Sequence, residues 1–414
     1  MRFTVRLLLA VLLLLPLVAT AQKPEKVYRL TYTIEPLPDQ DAARVTIRLG
    51  EGAQYVSRIN FRIHPERQTG IKADGELSVE GERAIWHPPA TGGTFTLLAK
   101  VSHPRKGGKF DALMTHDWAI FRGDDMVPAA LVRQKKGAHS RARLYFRLPP
   151  GWDSVDTGWL RAPDGSFYVD NPGRSFDRPI GWMIAGKVAT RRDTIGHTDV
   201  AVGGPIGADV RRMDVLALLN LIWPEVEQAF GRTPRKLLIA SAPDPLWRGG
   251  LSAPNSLFLH ADRPLVSENG TSSLMHELTH VITRIRGARN DDWIAEGVAE
   301  FYAIEIFRRA GALSDSRYSR TRQDLREWSR PVKTLRVRHS KGEVTARAVL
   351  LFQDLDREIR TRTKDAKSLD DVVRELMGKH GRKVSLEDLR AAAEKVLGAK
   401  SRTLESPLLA KPAA

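Results

Sequence analysis

His276-Glu277-Leu278-Thr279-His280, followed at once by Val281-Ile282, is the stretch from which the rest of this 414-residue chain is best read. No Pro or Gly interrupts it before Gly287, so it reads as helix, and the spacing predicts a helix over about 271–286. Residues four apart on a helix share a face, with Cβ atoms about 5–6 Å apart. Two imidazoles so placed can both bind one zinc ion at about 2.0–2.1 Å. Glu277, next to the first histidine, is set to take a proton from a water held at such a metal. With 11 histidines in the chain, the five-residue pattern arises by chance in about one random sequence in fifty. On its own, the pattern leaves a hydrogen-bonded core histidine pair open.

The next segment supplies what a two-histidine site lacks. A catalytic zinc needs a third protein ligand and an open fourth position. Trp293-Ile294-Ala295-Glu296-Gly297-Val298-Ala299-Glu300-Phe301-Tyr302 reads as a second helix, with Asn290, Asp291 or Asp292 as its N-cap. Glu296 and Glu300 are again four apart. We assign Glu296 to the metal and Glu300 to the His276 ring N–H, with the swapped roles and a solvated Glu300 as the alternatives.

Moving outward, the period stays helical from about residue 210 to 397. Segments are expected at 213–230, 293–310, 317–329, 343–361, 368–379 and 385–397, with a kink or break at Pro224. Leu237–Ala240 and Ser256–His260 are short apolar strands within this part. Upstream, the period is two. In Arg44-Val45-Thr46-Ile47-Arg48-Leu49 the apolar residues alternate with polar ones, and similar runs cover 27–34, 55–63, 93–101 and 141–148. The fold class expected is α+β. An antiparallel β-sandwich over 22–205 precedes a mostly helical unit with a small sheet over 206–398, and 399–414 form a disordered tail. Arg133–Arg143 is expected to be a basic loop. Arg2 and Arg6, the apolar run Leu7–Val18 and Ala19-Thr20-Ala21 have the layout of a secretory signal peptide over 1–21. The run is short for a membrane span, so the mature chain is expected to be exported, periplasmic or secreted, without a transmembrane anchor.

Composition narrows the chemistry. The absence of cysteine excludes disulfides, thiolate metal sites and thiol catalysis. The formal net charge is +16, and residues 308–362 carry 15 Lys and Arg against 7 Asp and Glu. Solvated helix faces account for that excess, with contact to an anionic envelope surface or a preference for acidic peptides as the alternatives. No nucleic-acid-binding motif is present.

HELTH followed by W-x-x-E-G-x-A-x-x-Y resembles the gluzincin metallopeptidases. Within them the chain looks most like the glycyl aminopeptidase family, with aminopeptidase N and thermolysin more distant. Trp247-Arg248-Gly249-Gly250-Leu251 through Asn255-Ser256-Leu257 resembles that family's G-G-L-E-H…S edge-strand motif. His339-Ser340-Lys341-Gly342 resembles its Y-x-K-G, and Ser368-Leu369-Asp370-Asp371-Val372 its late helix. The resemblance implies a thermolysin-like catalytic fold, one Zn²⁺ per chain on His276, His280 and Glu296, and Glu277 as general base. It also implies a peptide or protein substrate that pairs with Gly249, Gly250, Leu251 and Ser252.

There are three departures. Ser252 stands where the family's Glu meets the substrate ammonium, which leaves aminopeptidase or endopeptidase mode open. His339 stands where a tyrosine donates to the oxyanion; His339 is expected to take that role, with Tyr302 and Tyr318 as substitutes. Only 15 residues separate His280 from Glu296, which implies a tight connection. The first two departures also motivate the rival reading, a degenerate gluzincin acting as a non-catalytic binding or scaffold protein.

Overall fold

The computed structural model describes residues 25–171, 176–378 and 383–410. The expected leader, 1–21, lies outside these residues. Among them, no helix is long and apolar enough to cross a membrane.

The first half of the chain forms three sheets. One has six strands in the order 167–169, 138–146, 26–37, 42–49, 93–100 and 68–73. A second has five strands, among them Phe110–Met114, Trp118–Arg122 and Trp182–Gly186. A third has four, including Val56–Arg62 and Arg83–His87. The period-two reading holds side chain by side chain: Val45, Ile47 and Leu49 are buried while Arg44 and Arg48 are exposed. The core packs Tyr28, Tyr32, Phe61, Trp86 and Phe95, with the Phe61 and Phe95 rings 4.4 Å apart.

Two local expectations are corrected here. The sandwich is not wholly antiparallel, because Lys26–Leu37 runs parallel to Ala138–Phe146, with Leu30 opposite Ala142. The second strand enters after about a hundred residues of intervening strands, so no hairpin constrains its direction. Arg133–Arg143 is not a loop either. Strand Ala129–Gln134 turns at Gly137 (φ 79°) into strand Ala138–Phe146. The buried small residues Ala138, Ser140 and Ala142 carry the alternation that the dense arginines masked.

The second half is built on a mixed five-stranded sheet. Its strands are β1 (Val188–Ile195), β2 (Thr198–Pro205), β3 (Lys236–Ala242), β4 (Gly250–Ala253) and β5 (Ser256–His260), in the order β1-β2-β3-β5-β4. The expected boundary at 205/206 therefore cuts through this sheet, since the β1–β2 hairpin joins β3 through a parallel β2–β3 pair. One face, with Val200, Val202, Leu237, Ile239, Leu257 and Leu259, packs on helices. The other face, with Ala201, Leu238, Ala240 and Phe258, packs on Ile120, Trp182 and Ile184 of the five-stranded sheet. Burial on both faces explains why 237–240 reads as an unbroken apolar run.

The helices are α1 (Arg212–Phe230), α2 (Ser273–Thr283), α3 (Asp292–Arg309), α4 (Asp315–Trp328), α5 (Glu343–Thr363), α6 (Leu369–Met377) and α7 (Leu386–Leu397). Of the kink or break expected at Pro224, the break does not occur: helix α1 is continuous, with Leu219, Ile222, Trp223, Val226 and Phe230 buried along one side. The expected disordered tail is ordered over its described part. Leu404 and Leu409 are buried, and the Glu358 carboxylate accepts the Arg402 and Thr403 N–H groups and the Ser401 hydroxyl. Burial pushes that carboxyl up, and the three donors override it, holding its pKa down to about 2. The tail's three leucines supply the anchors that its small and proline residues obscured.

Candidate metal centre and active site

Ser272 caps α2, its hydroxyl accepting the Met275 N–H at 3.3 Å. Leu274, Met275, Leu278, Val281 and Ile282 fix the helix on its apolar side. That leaves His276, Glu277 and His280 on the other side, partly exposed. The turn between α2 and α3 is tight, as the short spacing implied. Arg284 ends α2 in the left-handed region, and Gly287 lies so close to Asp291 that a Cβ there would sit 2.4 Å from the Asp291 carbonyl oxygen. Asp291 is itself pinned, its Oδ1 2.7 Å from Arg336 and its Oδ2 accepting the Leu386 N–H at 3.1 Å.

Helix α3 packs closely on α5. A Cβ at Gly297 would meet Ala348 Cβ at 2.7 Å and the Phe352 ring at 2.8 Å, and Phe352 stacks on Trp293. This presents Glu296 to the two histidines. His276 Nε2 and His280 Nε2 are 3.2 Å apart. Glu296 places one oxygen 3.4 Å from the first and the other 3.5 Å from the second. Donors at about 2.0–2.1 Å from a tetrahedral zinc are separated by about 3.3–3.4 Å, so the two nitrogens and the carboxylate, which turns one oxygen to each nitrogen, sit at the spacing of three such ligands. Two imidazole lone pairs facing each other at this range repel unless a cation or proton lies between them. The donor set therefore fits zinc.

On the far side of the ring, His276 Nδ1 is 2.8 Å from Glu300 Oε2. That contact fixes Nδ1 as the protonated nitrogen and leaves Nε2 free to ligate. Burial lowers the His276 pKa, but the Glu296 and Glu300 carboxylates reverse this and lift it to about 10. Glu296 shows the reciprocal effect: burial pushes it up, and the two imidazoles hold it far below the usual carboxylate range. The two shifts are reciprocal, each group favouring the charged form of the other.

Glu277 faces the edge strand β4. A Cβ on Gly250 would lie 2.5 Å from Glu277 Cγ and 2.9 Å from its Oε1, so only glycine lets the strand approach this carboxylate. The His260 N–H donates to the Gly249 carbonyl at 3.0 Å. In an antiparallel ladder this phase turns the N–H and C=O groups of Gly250 and Ser252 away from β5, toward the open edge of the sheet. The Leu251 carbonyl accepts the Trp182 indole N–H at 2.8 Å, tying the strand to the first half of the chain. Beyond Leu251 lies a cavity of about 250 Å³, lined by His103, Asp111, Arg122, Asp124, Asp125 and Trp182. The sequence reading missed these groups, because they come from strands and a short helix far upstream of Leu251 with no motif of their own.

His339 is exposed, on a loop whose next residue, Ser340, donates its N–H to Asp292 Oδ2 at 2.9 Å. Asp292 lies one turn before Glu296 on α3. Tyr302 is buried and donates to Asp370 at 2.8 Å, which engages it in the core. Tyr318 lies under the Arg308 guanidinium, 5.4 Å from its ring centre, beside a different cavity. Arg309 joins Asp370 and Glu305 into one buried network behind α3.

No family model matches the chain, and no curated protein matches it in sequence. Solved structures do match. An aminopeptidase N family protein from Idiomarina loihiensis superposes with a TM-score of 0.63 at 14% identity, over 85% of this chain and 70% of that one. A variant of a two-domain M1 zinc metallopeptidase bound to L-tryptophan gives 0.58 at 15% identity, over 94% and 95%. An M1 zinc metallopeptidase variant from Deinococcus radiodurans gives 0.55 at 14%, over 92% of each chain. The chain is similar to these proteins in fold.

Proposed function

We propose that this chain is an exported zinc-dependent metallopeptidase that hydrolyses peptide bonds. The observation that carries the reading is the clustering of the His276 and His280 nitrogens, 3.2 Å apart, with the Glu296 carboxylate, whose two oxygens lie 3.4 and 3.5 Å from them. Glu277 beside it, set against an open strand edge, supports the peptide assignment. His276, His280 and Glu296 would hold the metal, one per chain. Zinc, when bound, supplies a Lewis acid that polarises a carbonyl and makes water acidic near neutral pH.

The remaining work belongs to the chain. Glu300 holds the His276 ring in its ligating orientation. Glu277 accepts the proton of the attacking water and returns it to the departing amine. His339, exposed and adjacent to the Ser340–Asp292 bond, would donate to the developing oxyanion, a contact whose removal costs about 2.7–4 kcal/mol in an unrelated hydrolase. The outward N–H and C=O groups of Gly250 and Ser252 would pair with an extended substrate, as an added strand does. Ser252 brings no charge for a substrate ammonium, so the mode rests on other groups near β4. Export rests on the leader-like residues 1–21.

The test is direct. The purified chain should retain about one zinc. Glu277→Gln should cut hydrolysis to a small residual rate with zinc content and circular dichroism unchanged; hydrolysis near the unsubstituted rate defeats the mechanism. Pairing each peptide with its N-acetylated form then separates the two modes, since equal cleavage of both removes the aminopeptidase reading.

A further inference from the structure

The basic excess of residues 308–362 is unevenly neutralised. Arg308 and Arg309 pair with Glu305, Arg357 with Asp354, Arg360 with Asp356, and Arg362 with Glu358. Arg336 pairs with Asp291. Among the described residues, Arg330, Lys333, Arg338 and Lys341 make no ion pair, and all four are exposed. Arg317, Arg320, Arg322 and Arg326 on α4 and Arg347 on α5 also make no ion pair among the described residues, so the segment between the two helices carries four of the nine unpaired cations, and Arg338 and Lys341 are set apart by where that segment is held.

That segment is fixed in shape and held near the metal centre. The Ser340 N–H bonds Asp292 Oδ2 at 2.9 Å, and its hydroxyl lies 3.0 Å from Thr345 Oγ1. Gly342 adopts φ 56° and ψ −123°, a conformation essentially closed to residues with a side chain. The Leu335 N–H is bonded to the Leu408 carbonyl at 2.9 Å, and Leu335 is fully buried. Asp292 and Glu296 are four apart on one face of α3, about 6 Å along its axis. Arg338 and Lys341 flank the very residue clipped there. Trp328, 56% exposed, packs next to Gly342 and adds apolar surface beside the loop. The nearby carboxylate Glu343 sits in the first turn of α5, where the helix end favours negative charge.

Resting on the peptidase reading above, we propose that Arg338 and Lys341 form a carboxylate-binding site beside the metal centre, selecting peptides that carry an anionic group near the bond to be cleaved. Two cations on a preshaped loop, unpaired and exposed, lose little conformational freedom on meeting such a group. The carboxylate can come from an Asp or Glu side chain or from a free C-terminus.

The experiment uses the zinc-loaded full chain carrying Glu277→Gln and four peptides of one length. These are a neutral C-terminal amide, the same peptide as the free acid, a Glu-containing amide and a Lys-containing amide. Binding is followed by calorimetry at low salt. One or both anionic peptides should bind about tenfold or more tighter than the neutral amide, with the Lys peptide weakest. The Arg338→Met/Lys341→Met double variant should erase that preference, and Arg338→Lys/Lys341→Arg should keep it. Whichever anionic peptide shows the preference identifies the source of the carboxylate. Equal binding of all four, or a preference that survives the double variant, overturns the proposal. Failure of the peptidase reading is separate: unsubstituted zinc-loaded protein would cleave none of the four peptides while the charge preference persists.

Discussion

Replacing Gly250 with alanine tests the contact between the edge strand and the carboxylate more sharply than removing either group. The new Cβ would lie 2.5 Å from Glu277 Cγ and 3.1 Å from its Cδ. Carbon atoms pack at about 3.5–4.0 Å, so Glu277 must retreat by about 1 Å. Gly250 is not among the residues with positive φ, so alanine fits its backbone without strain. The strand cannot easily move instead, because Leu251 is tied to Trp182 and Gly249 to His260. A 1 Å misplacement of a reacting group costs about 10²-fold in rate, or about 2.7 kcal/mol of barrier. The expected result is a kcat lower by about that factor, with zinc content and thermal midpoint unchanged. A cycle with Glu277→Gln completes the assay: once the carboxylate is gone, Gly250→Ala should remove little further activity. The reasoning is refuted if Gly250→Ala keeps kcat within about threefold and only raises KM, or if it costs the same factor in the Glu277→Gln background.

Two further outcomes follow from the geometry. Glu300→Gln should weaken zinc binding by about 10–100-fold, read by competition with a chromophoric chelator, with helicity retained; unchanged affinity would remove its orienting role. Glu358 has a folded pKa of about 2, below its ordinary value of 4.5, so its contribution to stability is present above about pH 4.5 and is lost as pH falls toward 2. Proteolysis of the 399–410 segment should therefore increase across that window, and Glu358→Gln should expose it already at neutral pH; a segment equally resistant in both proteins would contradict the clamp.

The candidate metal site was legible because its spacing is local. Two histidines and two glutamates, each pair at helical spacing, announce a shared face whatever the tertiary fold, and the structure brings His276, His280, Glu296 and Glu300 within bonding range. Strand periodicity was legible for the same reason, as Val45, Ile47 and Leu49 illustrate. What the sequence hid was long-range. Strand 138–146 runs parallel to 26–37 through a pairing across more than a hundred residues, and arginine-rich composition concealed its small-residue face. The tail was misread because its fixing points, Glu358 and Arg390, lie in other helices. Pro224 marked a kink or break, and the helix is continuous there, with Trp223 and Val226 buried. The cavity beyond Leu251 joins residues from 103 to 251, a juxtaposition that no spacing rule encodes.

The mixed sheet has a consequence for modularity. Its β1–β2 hairpin continues into β3, and its second face is covered by Ile120, Trp182 and Ile184. A chain cut at residue 206 would leave β3 as a bare edge and expose Leu238, Ala240 and Phe258 as a flat apolar surface, an invitation to aggregate. The helical half therefore cannot be lifted out as a portable catalytic cassette. Recombination can shuffle this unit only as a whole, and the strand that would receive substrate is inherited together with the sheet that covers its back.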